Sequence, residues 1–374
     1  MMQRYSGEHL GPAPHILVLG SCKVGNFVVS TPVLVGLKNR FPDAVIGFLG
    51  SDVTASFEEA FNSIDWRYSW DDSRPDSGLR LHQQITRRKR QHGVFALAVN
   101  LDGFNPVTCT LISWLHPNYV AGGSLSANLR QSLPWGEMPQ QRFLSDPDWD
   151  SLAFLERYSE VFTSNYIAEL FAQLSFVAEY VDTTAIELPS APPPFAVPDV
   201  LIHCTAARRA KIWPFTAWRL VIDHIKKRGL SVGLIGSPPT VQKEAYNSSS
   251  AEEELLKTTK LIDLRGLTSL TQLAGACARA RAVVTVDAGP LHIAAAVGVP
   301  TLAVVGNDAR GVGASPIRLW LPRCTNVSRT VSDANCDECA ANRYQNNDCL
   351  VDGQPCMAGV SAIQVIKWLD NTLE

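Results

Sequence analysis

Three short segments carry residue types that could bind and activate a charged ligand. The first, Asp287-Ala288-Gly289-Pro290-Leu291-His292, sets an acid, a Gly-Pro turn and a histidine between an apolar run, Ala282 to Val286, and the small-residue stretch Ile293 to Val299. Where a buried strand ends and a helix begins, an open α/β fold presents polar groups to a ligand. Asp287 can accept hydrogen bonds from sugar hydroxyls, the Gly289-Pro290 turn exposes backbone donors, and His292 can donate to a phosphate. Taken alone, His292 reads as a core histidine satisfied by a neighbour.

The second segment runs from His203 through Thr205, Arg208, Arg209 and Lys211 to Ile212-Trp213-Pro214. It places three cations at a strand exit ahead of a helix start, which suits a diphosphate. Cations in surface loops are usually solvated, so its weight comes from pairing with the 287–292 turn two strands further on. The third segment, Gly20-Ser21-Cys22-Lys23-Val24-Gly25-Asn26, has the glycine spacing of a P-loop, but Asn26 stands where the lysine must be and Phe27 where the hydroxyl must be. ATP hydrolysis is therefore not expected. The loop should still sit at the carboxyl end of the first strand, facing a ligand crevice, with a plain strand-to-helix turn as the alternative.

The elements that would position these segments alternate regularly. His15 to Gly20, Val45 to Leu49 and Val94 to Asn100 read as strands, separated by helices at Thr31 to Arg40, Ser56 to Asn62 and Ser77 to Gln91. After the proline-rich 188–194 stretch, strands at Val200 to His203, Ser231 to Ile235, Ala282 to Val286 and Thr301 to Val305 alternate with helices at Thr216 to Arg228, Ser269 to Arg279 and Leu291 to Val297. This is the βαβ rhythm of parallel sheets. Asp150 to Tyr180 reads as helical and completes the first half. The expected architecture is α/β: an N-terminal Rossmann-like domain over 1–188, a C-terminal one over 195–360, and a closing helix over 361–374, the two sheets facing across a cleft.

Composition narrows the partners. A chain of 374 residues, 46% hydrophobic and 18% charged, is long enough for two domains with full cores. A net charge of -3 gives no global attraction for nucleic acid. The basic run Arg87-Arg88-Lys89-Arg90 reads as a solvated helix face, which leaves an anionic acceptor or a peripheral membrane contact open. Neither a signal nor a transmembrane segment is expected: the greasiest stretch, Ala282 to Val305, is broken by Asp287, Gly289, Pro290, His292, Gly298 and Pro300. The expected location is cytoplasmic, at most against the inner face of a membrane.

Of nine cysteines, Cys22, Cys109, Cys204 and Cys277 are scattered and read as small buried residues. The others cluster late. Cys336 and Cys339 form a C-x2-C pair, with Cys349 and Cys356 following at gaps of nine and six residues and Cys324 upstream. Four thiolates in a loop poor in apolar residues could hold a structural Zn or Fe; free thiols or a disulfide are the alternatives.

Together the segments resemble glycosyltransferase family 9, the ADP-heptose-dependent heptosyltransferases. The resemblance rests on Val24-Gly25-Asn26-Phe27-Val28-Val29-Ser30-Thr31-Pro32 with Phe41-Pro42-Asp43-Ala44, on Lys211-Ile212-Trp213-Pro214, and on Asp287 to Ala294 followed by Gly298-Val299-Pro300. It implies a GT-B fold, with the donor on the C-terminal domain and the acceptor on the N-terminal one. It also implies that Lys211 meets the donor diphosphate, that Asp287 holds donor sugar hydroxyls, and that Gly289 and His292 lie close to the diphosphate. Gly266-Leu267-Thr268-Ser269-Leu270 resembles the stretch beside the adenine. The donor-binding set is accordingly Thr205, Arg208, Lys211, Leu267, Thr268, Asp287, Ala288, Gly289 and His292.

Two positions depart from the pattern. Asn26 stands where relatives carry an aspartate, and an amide cannot take a proton at neutral pH. The expected substitute base is Asp102, in Leu101-Asp102-Gly103 after a strand, with a helix cap or turn former as its plain alternative. Asp52 is a weaker candidate, and an amine acceptor would need less help. Ala288 replaces a residue that often carries a hydroxyl, which removes one hydrogen bond to the donor. The expected activity is inverting, metal-independent transfer from a nucleotide sugar, ADP-heptose first, to a lipopolysaccharide core sugar, a natural product or a protein hydroxyl. A non-catalytic nucleotide-sugar binder and a nucleotide-sugar epimerase are the competing classes. The chemistry itself needs no cofactor, since cations and helix N-termini can stabilise the departing diphosphate.

Overall fold

In the computed structural model, residues 2–151, 153–246, 250–306, 317–334, 336–341 and 346–374 are described. The chain divides into two compact units, Met1–Ile186 and Glu187–Glu374. In the first, β1 (Gln3–Arg4), β2 (His15–Leu19), β3 (Val45–Gly50), β4 (Trp66–Ser69), β5 (Leu97–Asn100) and β6 (Tyr119–Gly122) form one sheet in the order β1-β6-β5-β2-β3-β4. Every pairing is parallel. β2, His-Ile-Leu-Val-Leu, is buried at all five positions, as a strand covered on both faces must be.

The second unit repeats the plan. Its strands are β7 (Val200–His203), β8 (Val232–Leu234), β9 (Ile262–Asp263), β10 (Ala282–Val286), β11 (Thr301–Gly306) and β12 (Val327–Val331), in the order β12-β11-β10-β7-β8-β9, all parallel. In each unit the chain builds outward on one side of its first long strand, then crosses to the other side. The order reverses between β2 and β5, and between β7 and β10. Those are the switch points at which open α/β sheets bind ligands.

Three sequence expectations change. The helix after β2 spans Val24–Arg40 and starts seven residues before Thr31, with Pro32 inside it. Proline removes the amide that would bond the carbonyl of Val28; the Thr31 hydroxyl donates to that carbonyl instead, at 2.8 Å. Asn26 thus lies in a first helical turn, and the glycine-containing loop shrinks to residues 20–23. The 150–180 stretch is not one helix but Phe154–Tyr158, Ile167–Leu174 and a short 3-10 turn at Ala178–Tyr180. Glu169, in the first turn of the middle helix, accepts from the Thr163 amide at 2.6 Å and the Ser164 hydroxyl at 2.5 Å, which folds the chain back at that point. Half of the basic run is internal: Arg88 lies over the Trp66 ring at 5.2 Å, and Lys89 donates to the Leu115 carbonyl at 2.5 Å. Arg87 and Arg90 remain exposed.

The core of the second unit centres on Trp213 and Trp218, both fully buried and edge-to-face at 5.0 Å. The last helix, Ala362–Thr372, opens with a capping box between Ser361 and Gln364. It buries Val365 and Leu369, and its Asp370 accepts from His224 of the Phe215–Lys227 helix at 2.8 Å and from Arg228, the cap just past that helix, at 2.9 Å. Among the described residues no helix is long and apolar enough to cross a membrane.

Candidate functional site

The β7/β10 switch point brings together most of the residues expected to bind the donor. β7 delivers the chain to a buried Thr205 and then to a 3-10 turn over Arg209–Lys211. Trp213 anchors this loop by donating its indole N–H to the Val360 carbonyl at 3.0 Å. Asp287 is the first residue after β10, which pairs in register with β7, so the two loops leave the sheet side by side. Lys211 Nζ lies 2.8 Å from Asp287 Oδ2, and the Asp287 carboxylate is 8% exposed. Removing either member of a pair this well shielded would strand the other's charge, so each holds the other in place.

Ala288 is the N-cap of the Gly289–Ala296 helix and offers its amides no side-chain cap. His292, one turn in, is buried; burial pushes its pKa down to about 4, with Asp287 pulling it up and Lys211 pushing it down. It is a neutral imidazole at pH 7, carrying a single N–H to donate. Its Nδ1 has no hydrogen-bond partner among the described residues. The Thr205 hydroxyl is fully buried and donates to Gln242 Oε1 at 2.6 Å, so it braces the wall of the site. Arg208 donates from Nε to the Asn346 carbonyl at 2.6 Å and from Nη2 to Asn346 Oδ1 at 3.1 Å.

Leu267 and Thr268 follow β9 at the same edge of the sheet. Leu267 is 51% exposed. The bend before it needs glycine: Gly266 has φ +71°, and a Cβ there would lie 2.8 Å from Pro238 Cα. Ser269 then caps the Leu270–Cys277 helix with a capping box to Gln272.

The β2/β5 switch point is furnished differently. Asn26 stands half-buried in the first turn after β2, and Asp102 half-buried just after β5. The helix cap is not Asp102 but Asn105, whose Oδ1 accepts from the Val107 amide at 3.0 Å. Asn105 Nδ2 donates to Asp102 Oδ2 at 2.9 Å, and the Asp102 carbonyl closes the turn. This loop is pressed against the end of β6, where a Cβ on Gly123 would fall 1.9 Å from the Gly103 carbonyl oxygen.

Other acids converge here that the sequence reading passed over. The Ser51 hydroxyl donates to Asp71 Oδ2 at 2.6 Å. Burial first, then a hydrogen bond to Asp71 and the charges of Asp71, Asp102 and Glu58, push the Cys22 thiol up to about 12. Glu58 is fully buried, accepts from Arg67 Nε at 2.7 Å and from the Ser51 amide at 3.0 Å, and has its pKa raised chiefly by burial. Asp52 is exposed and accepts from Ser69 on β4, one strand further out. No spacing rule flags Asp71 or Glu58; only the strand order brings them to Cys22.

Among the described residues no disulfide joins the cysteines. Cys339 and Cys356 are buried, Cys336 and Cys349 half-buried. The Cys356 thiol is pushed up to about 11, first by burial and then by the charges of Cys349, Cys336 and Cys339. Among the described residues no group of three or more His, Cys, Asp or Glu is arranged to hold a metal ion.

Two Rossmann-like units, each built on a six-stranded parallel sheet, give the GT-B fold, the architecture of one large class of glycosyltransferases. The sequence profile of glycosyltransferase family 9 (heptosyltransferase) matches residues 142–343, more than half of the chain, and the chain belongs to that family. No curated protein matches it significantly. Among solved structures it is similar to the glycosyl transferase family 9 protein from Veillonella parvula DSM 2008, at 17% identity and a TM-score of 0.68 over 96% of this chain and 97% of that one. The E. coli ADP-heptose lps heptosyltransferase II matches at 17% identity and 0.64, over 96% and 98%. The iron-containing dodecameric glycosyltransferase TibC from enterotoxigenic E. coli H10407 matches at 14% identity and 0.58, over 98% and 80%.

Proposed function

We propose that the chain transfers heptose from ADP-heptose to an acceptor hydroxyl with inversion and without a catalytic metal. One observation carries the reading: the 2.8 Å pair between Lys211 and Asp287 across the β7/β10 switch point. An ammonium held by a carboxylate is poised to exchange part of that contact for a diphosphate while the carboxylate takes sugar hydroxyls. The uncapped N-terminus of the Gly289–Ala296 helix adds backbone donors on the same side. The exposed Leu267 offers an apolar face to the adenine. Donor naming follows a structural relative, which is an ADP-heptose enzyme.

In the proposed step, Asp102 takes the proton of the acceptor hydroxyl as its oxygen forms a bond to the anomeric carbon. The bond from that carbon to the diphosphate oxygen breaks, and ADP leaves with its new charge facing Lys211. Asn26 cannot take the proton; its amide is left to orient the acceptor. The acceptor is a lipopolysaccharide core sugar, a natural product or a protein hydroxyl. ADP release from ADP-heptose across such an acceptor panel tests the reading. Release that persists in both Lys211→Ala and Asp287→Asn would defeat it, whereas donor binding without turnover by any acceptor would favour a nucleotide-sugar binder, the reading that Asn26 invites.

We further propose that Cys336, Cys339, Cys349 and Cys356 hold a structural Zn or Fe. The charges of the other three cysteines at Cys356 and the burial of two thiols support this, as does the iron named in one structural relative. The metal content of protein purified without added metal, and its loss in Cys339→Ser, is the check.

A further inference from the structure

The cysteine-bearing segment also grips the loop that carries Arg208, Arg209 and Lys211. Asn346 receives Arg208 twice, on its carbonyl at 2.6 Å and on Oδ1 at 3.1 Å. Next to it the Asn347 carbonyl accepts from the Ala210 amide at 3.0 Å, and Asp348 pairs with Arg209 at 2.6 Å. Gln354 Nε2 donates to the Arg209 carbonyl at 3.0 Å. Successive residues of one loop are thus tied to successive residues of another.

Asn346 is the centre of this grip. It is 8% exposed, and both ends of its amide are engaged: Nδ2 donates to the Asp348 carbonyl at 2.6 Å and to the Cys339 sulfur at 3.3 Å. With Nδ2 committed there, Oδ1 must face Arg208; a flipped amide would set two donors against each other. The guanidinium is a rigid planar fork, so fixing Nε and Nη2 fixes the plane and direction of the whole group.

We propose that Asn346 is a positioning residue for the donor site. From the cysteine-bearing segment it sets the Arg208 guanidinium for the donor's diphosphate. The proposal rests on the reading of 205–211 as the diphosphate loop. A cation ordered before the ligand arrives spares the ordering cost at binding, so losing Asn346 weakens phosphate recognition and leaves recognition of the base alone.

Calorimetric titration of the full chain with ADP and, separately, with adenosine tests this without an acceptor. Asn346→Ala should weaken ADP about tenfold and adenosine less than about twofold. Arg208→Ala should weaken ADP at least as much, and the double variant should be no weaker than Arg208→Ala, because the two residues act as one unit. If the alanine variant does not fold, the near-isosteric Asn346→Leu, which removes the Oδ1 acceptor that holds Nη2, should show the same selective loss. Equal losses for ADP and adenosine, additive losses in the double variant, or unchanged ADP affinity in the Asn346 variants beside a weakened Arg208→Ala would overturn the proposal. Unchanged ADP affinity in Arg208→Ala would instead remove Arg208 from the donor loop, and the proposal with it.

Discussion

The two sheets share a strand order, yet their switch points collect opposite chemistry. Between β7 and β10 a lysine meets an aspartate, beside an arginine held by Asn346 and a neutral, buried histidine. Between β2 and β5 the neighbours of Cys22 are Asp71, Asp102 and Glu58, and the family's aspartate is an amide, Asn26. One sheet's switch point presents a lysine paired with an aspartate, and the other's presents carboxylates around a thiol. That division is what transfer from an anionic donor to a hydroxyl needs, because charge leaves with the donor and a proton leaves the acceptor.

Removing the cation should break the contrast most severely. Lys211→Ala is expected to cost about a thousandfold in ADP release, on the order of 4 kcal/mol, since it deletes a charge aimed at the leaving diphosphate and strands a shielded Asp287. Steady-state release with saturating acceptor reads this directly. A loss under tenfold would mean that the helix N-terminus and Arg208 carry the diphosphate unaided.

That the Lys211 and Asp287 segments share one site was legible in the sequence because each belongs to a local pattern, Lys-x-Trp-Pro and Asp-x-Gly-Pro-x-His, at a strand exit; the ion pair between them was not. The β-branched runs that became β2, β7, β10 and β11 were legible for the same reason. What escaped was non-local. β4, Trp-Arg-Tyr-Ser, is too short and polar to stand out, yet it carries Arg67 to Glu58 and leads to Asp71. Pro32 looked like a helix start because proline favours the first turn, and the Thr31 hydroxyl bond to the carbonyl three residues back, though local, leaves no mark in the apolar pattern. The grip of Asn346 on Arg208 spans 138 residues, and no periodicity encodes it.

Buried histidines offer a second way to sharpen the comparison. His203 and His292 in the second unit, and His15 in the first, all have their pKa lowered to about 4, in each case chiefly by burial. A depressed histidine pKa means that the unfolded chain binds the proton first, so stability is full above about 6.5 and is lost as pH falls toward 4. For His203 and His292 the loss should reach about 3 kcal/mol each by pH 4. Urea midpoints at pH 7 and pH 4.5 should converge in His292→Gln relative to the parent. An unchanged gap would show that this imidazole is not buried neutral.

At the acid-rich switch point, Asp102→Asn should lower turnover about a hundredfold while leaving ADP affinity within about twofold, the mark of a group used in the transition state. Asn26→Asp in that background asks whether the family position can still serve. Recovery of turnover would show that the two sites are interchangeable, and no recovery that the β5 exit has taken over the role. Full turnover in Asp102→Asn would rule out Asp102 as the base.

The smallest effect lies at Ala288. Its backbone, φ -153° and ψ 176°, is extended, the region an N-cap occupies, but its methyl gives the Gly289–Ala296 helix no acceptor. Ala288→Ser supplies one, and a serine cap is worth about 1 kcal/mol, so thermal stability should rise by a few degrees. The function should move the other way on one ligand and not on another. A serine oxygen that accepts from a first-turn amide takes a donor that would otherwise face the diphosphate, while its own hydroxyl hydrogen is returned to the site. If the donor needs the backbone amide, ADP affinity falls as stability rises; if it needs only a hydrogen-bond donor at that place, affinity holds. Parallel melting and ADP titration of the single variant separate the two, and a fall in melting temperature would show that Ala288 is packed too tightly for a hydroxyl.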